Sequence, residues 1–176
     1  MRIGIGLGSN VGDRLQNLER AVKSIAKFHR QTSKPLISPI YITQPVDCKI
    51  DTREFYNMTM ELECDLSPDE LLTQLRKIES SLGRPTHRQR NAPRTIDLDI
   101  LYAGDQVLKS EELTLPHPRL TQRRFVLQPL ADIRPGLVLP GQSKDISTLL
   151  ADLDSDEAPL EQVATAADAG FPNTTR

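Results

Sequence analysis

Residues 92 to 102 read Ala-Pro-Arg-Thr-Ile-Asp-Leu-Asp-Ile-Leu-Tyr, and from Thr95 onward apolar and polar side chains alternate with a period of two. An extended strand places Ile96, Leu98 and Ile100 on one face and Thr95, Asp97, Asp99 and Leu101 on the other. Such a strand demands an apolar core beneath it and carries two carboxylates about 6.5 to 7 Å apart above it. Like charges at that spacing are costly to ionise unless a cation neutralises them. The pattern therefore points to a hard metal ion held against a phosphate, and two acids with several waters suit Mg²⁺. The plainer reading is a half-solvated strand whose polar face carries two Asp. The flank bears on the choice, because residues 84 to 94 hold four arginines and His87 with no acid among them. Guanidinium forks match phosphate oxygens in pairs, so a phosphate-seeking loop adjoins a metal-seeking strand. For the loop alone, the alternative is a solvated basic surface.

A chain of 176 residues with 38% hydrophobic content can bury one sizeable core and gives no reason to expect two. The net charge of -2 and pI near 5.9 argue against a general nucleic-acid or membrane-surface binder, which needs a net basic footprint. The basic loop is thus a local feature, and its expected partner is a small molecule. Met1-Arg2-Ile3-Gly4-Ile5 lacks the charged segment and long apolar run of a secretory signal, and no apolar stretch approaches the length of a membrane span. A cytoplasmic location is expected, with Cys48 and Cys64 as reduced thiols without metal-ligand spacing. Without export, the glycosylation pattern Asn57-Met58-Thr59 carries no meaning.

Along the chain, Arg2 to Leu7 alternates Ile3, Ile5 and Leu7 with glycines, as a short central strand approached closely by other backbone. Gly6-Leu7-Gly8-Ser9-Asn10-Val11-Gly12 then turns into a helix reaching about Phe28, with Asn10 or Asp13 as cap and Leu15, Leu18, Val22 and Ile25 at helical spacing. Its G-x-G-x-x-x-G spacing departs from the dinucleotide fingerprint, and no further βαβ units follow in register. Pro35 to Thr43 is a second extended segment, leading into a loop from Gln44 to Arg53. Phe55 to Cys64 alternates cleanly, with Tyr56, Met58, Met60, Leu62 and Cys64 on one face and Phe55, Asn57, Thr59, Glu61 and Glu63 on the other. Phe55 and Asn57 side by side could stack on and hydrogen-bond a flat heterocycle, or else mark an edge strand with one exposed ring. Ser67-Pro68-Asp69-Glu70 is a helix start, Leu71, Leu72, Leu75, Ile78 and Leu82 line its buried face, and Gly83 caps its end. The Asp97/Asp99 strand follows, then a Gly104-Asp105 turn and a short partner strand near Val107-Leu108.

Strand, helix, strand, strand, helix, strand is the order of a ferredoxin-like α+β fold. Both helices would cover one sheet face. The segment Leu115-Pro116-His117-Pro118 and the apolar run Phe125, Val126, Leu127, Leu130 and Ile133 would cover the other, giving an antiparallel sheet with helices on both faces in three α/β/α layers. From Asp152 the chain is acidic, alanine-rich and aperiodic, so one domain over residues 1–151 is expected, followed by a flexible tail over 152–176.

These residues together resemble the 6-hydroxymethyl-7,8-dihydropterin pyrophosphokinase family (2-amino-4-hydroxy-6-hydroxymethyldihydropteridine diphosphokinase) of folate biosynthesis. The resemblance covers roughly residues 1 to 140: Gly8-Ser9-Asn10, Tyr41 with Thr43 and Pro45-Val46, Phe55-Tyr56-Asn57, Gly83-Arg84, Pro93 through Ile100, Leu115 through Leu120, and Arg123 through Leu127. The Pro-Arg-Thr-x-Asp-Leu-Asp element is its most specific part. The resemblance implies transfer of pyrophosphate from ATP to the pterin alcohol, giving AMP and the pterin diphosphate. It implies that Asp97 and Asp99 hold two Mg²⁺, that Arg84, Arg94, His117 and Arg123 address the ATP phosphates, and that Phe55 and Phe125 sandwich the pterin. Asn57 would read the pterin edge, helped by the backbone around Thr43 and Val46, and Arg84, Arg94, Asp97 and Asp99 would carry the catalysis. ATP and pterin are then the partners of a monomer that engages neither nucleic acid nor membrane. Two departures stand out. Arg90-Asn91-Ala92-Pro93 lacks the family's usual aromatic and glycine, and Asp47-Cys48 replaces the glycine expected after Pro45-Val46. These leave room for a catalytically weak paralogue that binds nucleotide or pterin. An RNA-binding ferredoxin-like module is a further rival, but the chain lacks that module's aromatic-rich strand motif and its positive charge.

Overall fold

The computed structural model describes residues 1–30, 33–44, 54–83, 94–153, 160–166, 168, 169 and 171. The strand from Arg2 to Ser9 (β1) lies at the centre of the sheet, and its residues Ile3, Ile5 and Leu7 are buried. A turn leads into a helix over Arg14–Ile25 (α1), capped by Asp13, whose carboxylate accepts from the Gln16 amide at 3.0 Å. Of the two candidate caps Asp13 therefore serves, and Asn10 is engaged elsewhere. A 3-10 turn over Ala26–Phe28 ends this helical run where the apolar spacing stops.

The second extended segment is broken into two strands, Leu36–Ile37 (β2) and Ile40–Thr43 (β3). The cause is Pro39, which has no N–H for a ladder. At the break the Ser38 hydroxyl accepts from the Thr59 amide at 2.9 Å, while the Ser38 amide donates to the Thr59 carbonyl at 3.0 Å. The long strand Phe55–Glu63 (β4) pairs with both pieces and with β1. It is an interior strand, and its polar face is covered: Asn57, Thr59 and Glu61 are all buried. The helix Pro68–Ser81 (α2) begins with a complete capping box, in which Ser67 accepts from the Glu70 amide and Glu70 from the Ser67 amide. Gly83 follows it with φ of 92°, the left-handed conformation that glycine adopts without penalty.

The acid-bearing strand is Asp97–Ala103 (β5), antiparallel to β1. The short strand after the Gly104-Asp105 turn, Leu108–Lys109 (β6), pairs with Thr114–Leu115 (β7) as a separate two-stranded sheet and does not extend β5. The outer side of β5 is already engaged, because the Leu98 amide donates to Glu79 at 2.9 Å and the Leu101 carbonyl accepts from the His117 amide at 2.8 Å. Helices over Arg124–Ile133 (α3) and Ile146–Ala151 (α4) complete the second layer.

The main-sheet order through its first four strands is β5-β1-β4-β3, with all neighbours antiparallel, which is consistent with the ferredoxin-like expectation. α1 and α2 bury Leu18, Val22, Ile25, Leu71 and Leu75 against one face. On the other face Val126, Leu127 and Leu130 of α3 meet Leu101 and Tyr102. The three expected layers are present. Gly4 makes the second interface possible, since a Cβ there would lie 2.2 Å from the Tyr102 ring. The Tyr102 hydroxyl donates to buried Glu61, which also meets Arg2 at 3.1 Å and Arg134 at 3.3 Å.

The C-terminal segment differs from the loose tail expected of it. Glu161–Ala164 (β8) joins the sheet beside β3, and Ala169 and Phe171 are buried in the main core. Its strand is half-exposed to exposed along its length, so it has no apolar periodicity to read, and main-chain pairing with the burial of Ala169 and Phe171 does the anchoring.

Candidate active site

Register brings the candidate residues onto one sheet face. Residues paired across strands point to the same side, and one row runs Tyr41, Asn57, Gly8, Asp97 from β3 to β5, while the next runs Thr59, Gly6, Asp99 from β4 to β5. Asn57 and Asp97 stand two strands apart, which is about 10 Å at the usual strand spacing. Between them lies Gly8. A Cβ at Gly8 would sit 2.8 Å from the Asn57 carbonyl oxygen and 3.9 Å from the Phe55 ring, so the missing side chain is what lets these two groups lie over the strand.

The Asn57 end of the row is preset. Asn57 donates its amide to the buried Thr43 hydroxyl at 2.6 Å, which fixes the side chain's orientation. Phe55 is half-buried beside it. Phe125 is half-buried in the first turn of α3, and the Arg123 guanidinium lies 5.3 Å from its ring centroid. Val46 falls outside the described residues, as do Asp47 and Cys48.

At the other end the chain gathers cations around the acids. Arg94 pairs with Asp97 through a short hydrogen bond. Burial pulls the Arg123 guanidinium below its ordinary value, Arg119 and Arg94 act in the same direction, and Asp99 and Asp97 oppose them, so all five groups share one electrostatic neighbourhood. Burial, then Arg123 and Arg119, pull the His117 imidazole down to about 4, against the opposing pull of Asp97. His117 is therefore neutral near pH 7. Its Nδ1 accepts from the Arg119 amide at 3.2 Å, so the proton resides on Nε2, which acts as a donor without a charge. Arg84 lies outside the described residues, together with Asn91 and Ala92.

Arg119 is the residue that sequence reasoning left without a role. Its signal was its place in the basic run of Arg119, Arg123 and Arg124, two residues from the imidazole that it orients. Ser9, Asn10, Asn17 and Glu79 are buried polar residues around the start of β5, and sequence reasoning gives none of them this part.

Asp97 is half-buried and Asp99 exposed on the same face, which is what a cation shared between carboxylates and a mobile ligand requires. Among the described residues no three His, Cys, Asp or Glu side chains are grouped to hold a metal unaided. A divalent cation fits here once phosphate oxygens complete its shell. A cavity of about 310 Å³, lined in part by Leu36, Tyr41, Asp132 and Gln162, includes neither Asp97 nor Asp99.

Residues 4–135 match the family model described as 7,8-dihydro-6-hydroxymethylpterin-pyrophosphokinase. The chain is 44% identical over 129 residues to the 2-amino-4-hydroxy-6-hydroxymethyldihydropteridine pyrophosphokinase of Bacillus subtilis, covering 73% of this chain and 75% of that protein. It is 37% identical over 150 residues to the pyrophosphokinase of the same name from Pseudomonas aeruginosa, covering 85% and 90%. A mitochondrial folate synthesis bifunctional protein of Pisum sativum is 41% identical over 133 residues, and there the match spans only 24% of the relative's length. Among solved structures, wild-type Plasmodium falciparum HPPK-DHPS superposes with a TM-score of 0.65 at 15% identity, covering 85% of this chain and 44% of that one, a likeness of fold.

Proposed function

Because the chain belongs to the 7,8-dihydro-6-hydroxymethylpterin-pyrophosphokinase family, we propose that it moves the β,γ-diphosphoryl unit of ATP onto the hydroxymethyl oxygen of 6-hydroxymethyl-7,8-dihydropterin. Pyrophosphokinase activity in folate biosynthesis is the function; the acceptor atom, the residue roles and AMP as the released nucleotide are our reading. The observation that carries it is the row Asn57, Gly8, Asp97, with a hydrogen-bonding amide at one end, acids and arginines at the other, and a side-chain gap between.

Phe55 and Phe125 hold the pterin ring, and the Asn57 amide, fixed by Thr43, reads its edge with help from Val46. Arg94, Arg123 and Arg84 clamp the triphosphate, and Arg119 adds positive charge to the same neighbourhood. The Nε2–H of His117 donates to a phosphate oxygen without adding a charge that would have to be neutralised when the nucleotide leaves. Asp97 and Asp99 would hold two Mg²⁺ together with phosphate oxygens, and these ions supply charge neutralisation when bound. The bond formed joins the pterin oxygen to the β-phosphorus, the bond broken joins that phosphorus to the α,β-bridging oxygen, and the hydroxyl proton passes to water. Among the described residues this reading assigns no side chain as a base, and positioning with electrostatic stabilisation is sufficient for phosphoryl-group transfer. The same reading has the protein working in the cytoplasm as a monomer on small molecules, away from nucleic acid and membranes. Its net charge of -2 supports the part of this that concerns nucleic acid, and among the described residues no helix is long and apolar enough to cross a membrane.

The test is incubation with ATP, Mg²⁺ and the reduced pterin alcohol, followed by analysis of the nucleotides. AMP in equal amount to pterin diphosphate is expected. ADP as the main product would overturn the reading. The substitutions at Asn91, Ala92, Asp47 and Cys48 favour one alternative, a catalytically weak paralogue, which would show saturable binding of nucleotide or pterin with little AMP.

A further inference from the structure

The ladder between β1 and β5 ends at the pair Gly8 and Asp97. Beyond it one chain turns away towards α1 and the other comes in through Arg94, Thr95 and Ile96. Beyond the ladder one main-chain bond and several side chains hold them. The Asn10 carboxamide oxygen accepts from the Arg94 main-chain N–H at 2.6 Å, and the Asn10 main-chain N–H donates to the Arg94 carbonyl at 3.1 Å, so Arg94 is gripped on both main-chain groups, one of them by the Asn10 side chain. The Ser9 hydroxyl donates to the Thr95 carbonyl at 2.6 Å. Asn17, inside α1, donates to the Ser9 hydroxyl at 3.2 Å and to the Val11 carbonyl at 2.8 Å, tying the relay to a rigid helix. Ser9, Asn10 and Asn17 are buried, with exposures of 0%, 3% and 8%.

We propose that Asn10 and Asn17 are positioning residues that hold the backbone of Arg94, and with it the Arg94–Asp97 pair, in register for the triphosphate while touching neither substrate. This deepens the reading of Arg94 and Asp97 given above and rests on it. Buried amides are costly where packing alone is needed, because every donor and acceptor must be matched, whereas an apolar residue fills the same space freely. What the polar relay adds is direction: it fixes the height and rotation of one peptide unit. The residue so fixed carries the guanidinium that meets Asp97, and a group misplaced by about 1 Å in such a site can cost a hundredfold. The other acid-bearing region of β5 is gripped from the opposite side by Glu79 through the Leu98 amide, so the strand is steadied from two directions.

The experiment measures binding, so that it stands apart from turnover. Affinities for a non-hydrolysable ATP analogue with Mg²⁺ and, separately, for the pterin alcohol are determined by calorimetry for Asn10→Leu, Asn10→Asp and Asn17→Leu, with thermal midpoints alongside. Ser67→Ala serves as a destabilised control far from the site. Asn10→Leu should weaken the nucleotide about ten- to a hundredfold and leave the pterin within about twofold, as expected for a misplaced phosphate clamp. Asn10→Asp keeps the acceptor for the Arg94 amide and should restore most of the affinity, and Asn17→Leu should shift the nucleotide alone in the same direction by less. If both ligands weaken together, or neither does while the midpoint falls as in Ser67→Ala, the relay is purely structural and the proposal fails. Should Asn10→Leu not fold, Asn17→Leu and Asn10→Asp decide on the same criteria. Wild-type protein that binds the analogue but releases no AMP would defeat the proposed activity while leaving this inference to be judged by the variants.

Discussion

Gly8 shows how much of the site depends on an atom that is not there. A Cβ at this position meets the Asn57 oxygen at 2.8 Å, and Asn57 cannot swing aside without leaving Thr43, so Gly8→Ala should raise the KM for pterin roughly tenfold, the equivalent of about 1.4 kcal/mol, with a smaller effect on ATP. An equal rise for both substrates, or none, would show that Asn57 does not read the pterin. Asp97→Asn and Asp99→Asn should each keep the fold and slow turnover roughly a thousandfold, as several kcal/mol of charge stabilisation are lost. Near-normal rates at saturating Mg²⁺ would make the acids a solvated strand face. His117 gives a pH dependence with a definite sign. Its imidazole is pulled down to about 4 in the folded protein from an ordinary 6.5, so between those values the unfolded chain binds a proton that the folded one refuses. Stability therefore falls as the pH drops through that window and levels off below it. In nucleotide-free protein, urea midpoints compared between pH 7 and 4.5 should show a decline that His117→Asn flattens, and an unchanged slope in the variant would contradict this. Period-two spacing made Asp97, Asp99, Phe55 and Asn57 legible as residues of defined faces. Asn10 and Ser9 were not legible in their roles, because a polar residue in a turn, or at the last position of the strand before it, does not reveal its partner by periodicity. Asn17 did leave a trace, as a polar residue beside Leu18 on the stripe that buries Ala21, Val22 and Ile25.

At the scale of elements, legibility follows local chemistry. α2 is written in its first four residues, since the Ser67 hydroxyl and Glu70 carboxylate satisfy amides that a helix start leaves open. Ser67→Ala should cost about 1 kcal/mol and lower the thermal midpoint by roughly 2 to 4 °C, with KM values untouched. β8 lies at the other extreme. Its residues Glu161, Gln162 and Val163 are exposed, so main-chain pairing to β3 and the burial of Phe171 hold the segment in place, and neither can be read from a short polar stretch. Phe171→Ala removes a side chain that is 5% exposed and should destabilise by about 3 kcal/mol, a drop of roughly 6 to 12 °C. A midpoint within a degree of wild type would return the segment to the status of a loose tail. The division of the second extended segment into β2 and β3 lies between these cases. From the sequence the segment reads as unbroken although Pro39 lies within it, and only the Ser38 side chain shows how the sheet continues across the break.

For the molecule as a whole, the order of strands and helices was enough to anticipate three layers, because each amphipathic element must bury one face and the sheet has two. The partner of β6 was not anticipated, since the competition for the outer side of β5 is decided by a side chain and an amide distant in sequence. That competition has a consequence for how the protein behaves in a crowded solution. A sheet border with unsatisfied amides and carbonyls invites a strand from another molecule, and β5 is such a border on the acid side of this sheet. Here a buried carboxylate from α2 occupies the Leu98 amide and the His117 amide occupies the Leu101 carbonyl. Asp99 adds an exposed negative charge along the same stretch. A neighbouring chain seeking to lengthen the sheet meets plugged hydrogen-bonding positions and charge repulsion, whereas a small polyanion with its counter-ions needs neither the amides nor a flat approach. Strand addition is thus disfavoured at these two positions, and the proposed nucleotide, with its counter-ions, needs neither of them.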